Sequence, residues 1–288
     1  FSIIPSFFYS KLRGGKVIRA IDDLWPEYLY ERGIFSSKII RFFLNRLAKF
    51  SYVFPEYLFP LNNAVKEIVH DSYKIDNEKF EVLSHGINIK KFTYSKKIRT
   101  NIFTLMYFGS LIESYDFDLI INAAKKLKEK NIQFIIRGRG KLLPYIKNQK
   151  EKYKLDNLLI QTDVIKNEEI SKMLHKSDVL LAPMQKSKLA NYSLPTKILE
   201  YQAVGRPVIC CSNGAVGTYV EQTNSGLRAD QGNLESFIDS ILKLESNPKL
   251  CDILGENGRK NIEKEHTFEK IGIRLSYIID KIIKNNTN

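Results

Sequence analysis

From Phe103 onward, short apolar runs of strand length alternate with amphipathic segments of helix length. That alternation is the pattern of a parallel sheet covered by helices, because a strand buried on both faces reads as a continuous apolar run. The runs are FTLMYF leading to Gly109, IQFII ending at Ile136, NLLIQT ending at Thr162, VLLA ending at Ala182 and VICC ending at Cys211. Between the first two, Leu119, Ile120, Ala123, Ala124 and Leu127 fall on one helical face, while Lys125, Lys126 and Lys128 fall elsewhere. That spacing predicts a helix packed on the sheet.

Upstream, Val17 to Ile21 reads as a strand, Ser36 to about Tyr52 as a helix, and Glu81 to Ser84 as another strand. Together they predict a second, incomplete α/β unit. The intervening INIKKFTYSKKIRTN, from Ile87 to Asn101, is polar and basic with few apolar anchors, as expected of an inter-domain connection. The boundary is therefore placed near residue 95, giving domains 1–95 and 96–288. The final KNNTN is expected to be disordered.

Composition narrows the function classes. At 288 residues and 43% hydrophobic content the chain can bury a substantial core and accommodate two domains. It contains no twenty-residue apolar run, so no membrane-spanning helix is expected. The apolar opening from Phe1 to Phe8 lacks the flanks of a secretory signal, which assigns the chain to the cytoplasm. It also lacks an initiator Met and reads as a fragment, to which a typical α/β domain would add about a hundred residues at the amino end. The three cysteines, Cys210, Cys211 and Cys251, argue against a disulfide framework or a zinc site. A net charge of +13 is compatible with nucleic acid, an anionic membrane surface or phosphorylated substrates.

The most informative stretch is SLPTKILEYQAVGRPVICC, from Ser193 to Cys211. Ser193 can cap a helix, Pro195 suits its first turn, Gly205 is placed to end it in a left-handed conformation, and Pro207 prevents its continuation. The amino end of such a helix directs unsatisfied N–H groups toward the carboxyl edge of the sheet, where a diphosphate would fit. Thr196, Lys197 and Glu200 can share one helical side with Ser193. Lys197 could neutralise phosphate, and Glu200 could accept hydrogen bonds from two ribose hydroxyls. Spacing alone also allows these residues to be the plain exposed side of an amphipathic helix.

The run from Ser193 to Cys211 resembles the donor-site signature of glycosyltransferase family 4, retaining enzymes of the GT-B fold. MYFGSL around Gly109, IIRGRG, and HKSDVLLAP from His175 to Pro183 resemble further donor-domain motifs. DDLWPE, from Asp22 to Glu27, looks like an acceptor-domain motif of members that build surface polysaccharides, and SHGIN, from Ser84 to Asn88, is similar to the family's hinge. The resemblance implies two Rossmann-like domains, the amino-terminal one incomplete and acceptor-binding, the other binding the donor. It implies transfer from a nucleotide-diphosphate sugar, most plausibly a UDP-sugar, to a glycan or lipid-linked acceptor with retention. Glu200 would hold the donor ribose, Gly109, Ser193, Thr196 and Lys197 would line the donor site, and Asp23 would orient the acceptor hydroxyl. No metal and no cofactor beyond the co-substrate are expected. Because lipid-linked acceptors lie at membranes, peripheral contact with an anionic membrane is a further expectation.

Two positions depart from the family pattern. The acid often found eight residues before Glu200 is Tyr192, as in a subgroup with the Ser, Pro, Lys, Glu, Tyr arrangement. The loop after Gly109 offers Glu113 and Asp116 where the family often has phosphate-gripping cations. Lys186, Lys188, Lys197 and Arg206 are possible substitutes. His85 and His175 are weak candidates for a general base, and GRG at Gly138 to Gly140 is equally a plain turn. A basic nucleic-acid-binding module is the rival from another class. It lacks zinc spacing and an RNP-like motif, so no nucleic acid is expected as partner. A non-catalytic sugar-nucleotide-binding scaffold is the second rival.

Overall fold

A computed structural model describes residues 2–187 and 190–284. The chain divides into two compact units, Phe1–His85 with Tyr192–Leu194 and Ile271–Asn288, and Gly86–Asn191 with Pro195–Lys270.

The first unit contains α1 (Ile3–Arg13), β1 (Ile18–Ile21), α2 (Glu27–Glu31), α3 (Lys38–Val53), β2 (Tyr57–Pro60) and α4 (Asn63–Tyr73). β1 and β2 pair in parallel from Ile18↔Tyr57 to Ile21↔Pro60. The expected strand and helix at Val17–Ile21 and Ser36–Tyr52 are present as β1 and α3. The expected strand at Glu81–Ser84 is not. Phe80, just before it, makes an isolated bridge with Leu58, and the segment donates from Glu81 N to Leu58 O and from Leu83 N to Pro60 O, both 3.0 Å. The sequence reading missed β2 and the helices α1 and α4.

The second unit contains β3 (Phe103–Phe108), α5 (Phe117–Lys126), β4 (Ile132–Arg137), α6 (Leu143–Tyr153), β5 (Leu158–Gln161), α7 (Ile170–Leu174), β6 (Val179–Pro183), α8 (Thr196–Ala203), β7 (Val208–Cys211), α9 (Ala215–Gln222), β8 (Gly226–Ala229), α10 (Leu234–Glu245) and α11 (Pro248–Asn261). Its six strands are parallel, in the order β5-β4-β3-β6-β7-β8. All five expected strands are there, and β8 is an addition. β6 and β7 are buried at every residue, which is why they read as unbroken apolar runs. On α5 the predicted apolar face is buried and Lys125, Lys126 and Lys128 are exposed. α12 (Phe268–Lys284) follows, and from Ile271 onward it groups with the first unit, where Ile278 and Ile282 pack on Phe59.

The division falls between His85 and Gly86, earlier than the expected position near residue 95. The connector is better anchored than its polarity suggested. Ile87, Ile89 and Phe92 cluster with Leu199, Ala203 and Ile262, and Ile87 N donates to His266 O at 2.6 Å. The terminal KNNTN lies outside the described residues, apart from Lys284.

In this strand order the chain reverses direction across the sheet between β3 and β6. The loops leaving the carboxyl ends of those two strands therefore bound the crevice where open α/β sheets take ligands. They begin at Gly109 and at Met184.

Candidate functional site

The Gly109 loop is shaped by close backbone approach. A Cβ at Gly138 would collide with Gly109 O, and one at Gly140 would collide with the Leu111 backbone, so the GRG glycines let the two loops stack. Tyr107 Oη donates to Ser110 O at 2.6 Å and pins the loop from below. Tyr201, on α8, gives its hydroxyl proton to Phe108 O and accepts from Phe108 N, each at 3.0 Å. β3 pairs with β6 only at Leu105 and Met106, so on that side this phenol serves the end of β3 where β6 does not.

α8 starts two residues later than predicted. Pro195, extended at φ −61° and ψ 140°, occupies the cap position, no side chain caps the helix, and Thr196 is the first helical residue. Ser193 is therefore not the cap. It belongs to the three residues grouped with the first unit and is exposed. The helix ends as expected, with Gly205 at φ +70°. A side chain there would meet the Tyr94 ring.

Lys197 lies in the first turn of α8, and its ammonium reaches the underside of the Gly109 loop, where a Cβ on Gly109 would strike it. Lys197 Nζ donates to Tyr107 Oη at 2.9 Å and sits 4.2 Å from the Tyr107 ring centre and 3.9 Å from that of Tyr115. Burial pulls this amine down to about 7, and the Glu200 carboxylate acts in the opposite sense. Burial raises Glu200 above its ordinary range, and Lys197 opposes the rise. Burial also raises Tyr107, and it pushes Tyr115 up to about 12, so both phenols are neutral ring faces. The arrangement is a half-buried cation with spare N–H groups, a carboxylate one turn further along the helix, and free backbone N–H groups at the helix start. It suits an anionic ligand carrying hydroxyls.

The structure thus brings Gly109, Thr196, Lys197 and Glu200 to one edge of the second unit's sheet. Asp23 lies in the first unit. It is exposed there with Asp22, and both line a cleft of about 630 Å³ together with Arg19, Trp25 and Ser51. Arg19 stacks over the Tyr52 ring at 4.1 Å and hydrogen-bonds Ser51.

Several candidates take structural roles instead. Arg206 is buried and donates to the carbonyls of Ser95 at 2.7 Å, Ser177 at 2.9 Å and His175 at 3.0 Å, so it cannot serve as a phosphate cation. His175 Nε2 lies 2.8 Å from Thr93 O, and burial lowers its ring. Asp116 caps α5 by accepting from Leu119 N at 3.1 Å, and Glu113 pairs with Lys141 at 2.9 Å. Lys186 is exposed, and Lys188 lies outside the described residues. Among the described residues no group of three or more His, Cys, Asp or Glu is placed to hold a metal ion. Sequence reasoning missed Tyr107 and Tyr115, since an aromatic residue in or beside a buried strand reads as core, and it gave Tyr201, the last residue of the Ser, Pro, Lys, Glu, Tyr arrangement, no role.

The sequence profile of Glycosyl transferases group 1 matches residues 89–261, more than half of the chain. The chain is 27% identical over 177 residues to an uncharacterized glycosyltransferase, MJ1178, of Methanocaldococcus jannaschii, covering 60% of this chain and 47% of that relative. It is 25% identical over 218 residues to the UDP-Gal:alpha-D-GlcNAc-diphosphoundecaprenol alpha-1,3-galactosyltransferase of Escherichia coli, covering 70% of this chain and 54% of that relative. The chain thus spans about half the length of these two relatives. Among solved structures, Anabaena Alr3699/HepE in complex with UDP and glucose superposes with a TM-score of 0.72 at 14% identity, over 96% of this chain and 75% of that one. At that identity the likeness shows the fold, which is GT-B.

Proposed function

The chain belongs to the group 1 glycosyltransferases, and from that membership we propose that it moves a sugar from a nucleotide-diphosphate donor, a UDP-sugar, to a glycan or lipid-linked acceptor with retention at the anomeric carbon. The reading places the reaction in cell-surface polysaccharide or glycoconjugate assembly, on the cytoplasmic side. It is supported by the relatives' names, one of which is a UDP-Gal:alpha-D-GlcNAc-diphosphoundecaprenol alpha-1,3-galactosyltransferase.

The observation that carries the donor assignment is the Lys197 ammonium held beneath the Gly109 loop at the switch point, three residues before Glu200. In this reading the β-phosphate lies against Lys197 and the first N–H groups of α8. Both strengthen their hold as the anomeric C–O bond breaks and its electron pair passes to the phosphate. Glu200 accepts from the ribose hydroxyls, and Thr196 and Ser193 add hydroxyl contacts to the donor. Asp23 orients the acceptor hydroxyl, and proximity supplies the rest of the rate. No metal is assigned a role.

Calorimetric titration with UDP, GDP and ADP tests the reading. One nucleotide is expected to bind the parent and to bind Glu200→Ala ~10-fold or more weakly, as loss of a charge-assisted ribose contact requires. A folded chain that binds none of the three refutes the donor site. Binding without turnover in the full-length protein favours the scaffold alternative.

A further inference from the structure

We propose that Tyr107 is a positioning residue of the donor site, a relay whose hydroxyl ties the anchoring of the Gly109 loop to the charge on Lys197. The inference rests on the donor-site reading for its consequence at UDP, whereas the relay itself is measurable without nucleotide.

Tyr107 is wholly buried, and its ring packs edge-on against Tyr115 and Phe117, at 5.2 and 5.0 Å. Phenylalanine would fill that space equally well, so the hydroxyl answers to its two partners, Lys197 Nζ at 2.9 Å and Ser110 O at 2.6 Å. A phenol has one proton to give. An ammonium has three N–H donors and no lone pair, so the charged Lys197 can only donate to Tyr107 Oη. The phenol proton is then committed to Ser110 O. That carbonyl and Leu111 N belong to one planar trans peptide and point in opposite directions. Leu111 N donates to Arg139 O at 2.9 Å. Tyr107 and the loop after β4 thus hold the same peptide from its two sides, one residue beyond Gly109, against which the ammonium lies.

Removal of one proton from Lys197 reverses the relay. The neutral amine gains a lone pair, a stronger acceptor than an amide carbonyl, so the phenol turns its proton to Nζ and Ser110 O loses its partner. The loop is pinned when the site carries its cation and released when it does not. The titratable groups facing Nζ are Tyr107, Tyr115 and Glu200, and both phenols stay neutral. Burial brings the amine down to about 7, so the reversal falls near neutral pH. A diphosphate arriving at Lys197 restores the proton and thereby sets the loop it lies against.

Exchange of the Leu111 amide in the nucleotide-free full-length protein, corrected for its intrinsic rate, tests the relay. Protection in the parent is expected to fall as pH rises through about 7. Tyr107→Phe is expected to be ~5-fold or more less protected at about pH 6.5 and flat in pH, as loss of one hydrogen bond requires. Lys197→Met is expected to keep full protection at every pH, because its phenol has only Ser110 O to bond. Calorimetry with UDP carries the relay to the donor site. Tyr107→Phe keeps the ring face but takes an acceptor from the ammonium, so the pH above which affinity falls is expected to move down by about one unit. A substitution that merely loosened the core would admit water and move it up, toward the ordinary 10.5. Equal protection of Leu111 in the parent and Tyr107→Phe overturns the relay, as does lost protection in Lys197→Met. An upward move of the UDP midpoint overturns the positioning role. Exchange that follows the relay in a chain that binds no UDP refutes the donor-site reading and leaves the relay standing.

Discussion

An amine held among phenol rings exchanges hydration for ring faces, and among the described residues Lys197 does so with a single hydrogen bond and no carboxylate within salt-bridge distance. Its place in the first turn of α8 adds the positive end of the helix, which also disfavours the ammonium. The groups facing it are the rings of Tyr107 and Tyr115 and the Tyr107 hydroxyl from the β3 side, and Glu200 from α8; all favour the charged form, and burial outweighs them. A bound diphosphate would restore the proton. Affinity for UDP is therefore expected to fall as pH rises above about 7, by up to ~10-fold per unit, since binding then takes up one proton. Lys197→Met is expected to bind more weakly at pH 6.5 and to lose this dependence, as titration calorimetry across pH would show. Folding carries the complementary sign. Between about 7 and the ordinary 10.5 the unfolded chain holds a proton that the folded chain lacks, so this group's contribution to stability rises with pH.

At the scale of elements, α8 joins the site to the sheet. Tyr201 supplies the hydrogen bonds that β6 does not give Phe108, so Tyr201→Phe leaves a donor and an acceptor unmet. A loss of about 1–3 kcal/mol is expected in urea unfolding. At the other end, Gly205 takes a left-handed conformation beside the Tyr94 ring. Gly205→Ala is expected to cost about 1–2 kcal/mol in the same measurement, the strain of a Cβ in that region. Just beyond it, the planar fork of Arg206 gathers three carbonyls from two segments, Ser95 and His175–Ser177. Lysine has the charge but not the fork, so Arg206→Lys is expected to destabilise while leaving the nucleotide constant unchanged.

Across the whole molecule, all three cysteines are buried as free thiols in the second unit. Burial pushes Cys210 up to about 12 and Cys251 up to about 11, and raises Cys211 as well. Ellman's reagent is therefore expected to label none of them in the native protein and all three on denaturation, at a rate set by opening of that unit. What the sequence determined by itself was five of the second unit's six strands, the buried face of α5 and the Gly205 stop. Each of these is written locally, in apolar runs, helical spacing or the one residue free to turn left-handed. β8 escaped because GLRA is short and alternates weakly, and β2 because Tyr57–Pro60 ends in proline. Only the tertiary structure separated the cations, placing Lys197 under the Gly109 loop between two tyrosine rings and turning Arg206 onto backbone carbonyls. Which groups meet across strands distant in sequence is fixed by packing and desolvation, and no local spacing records it.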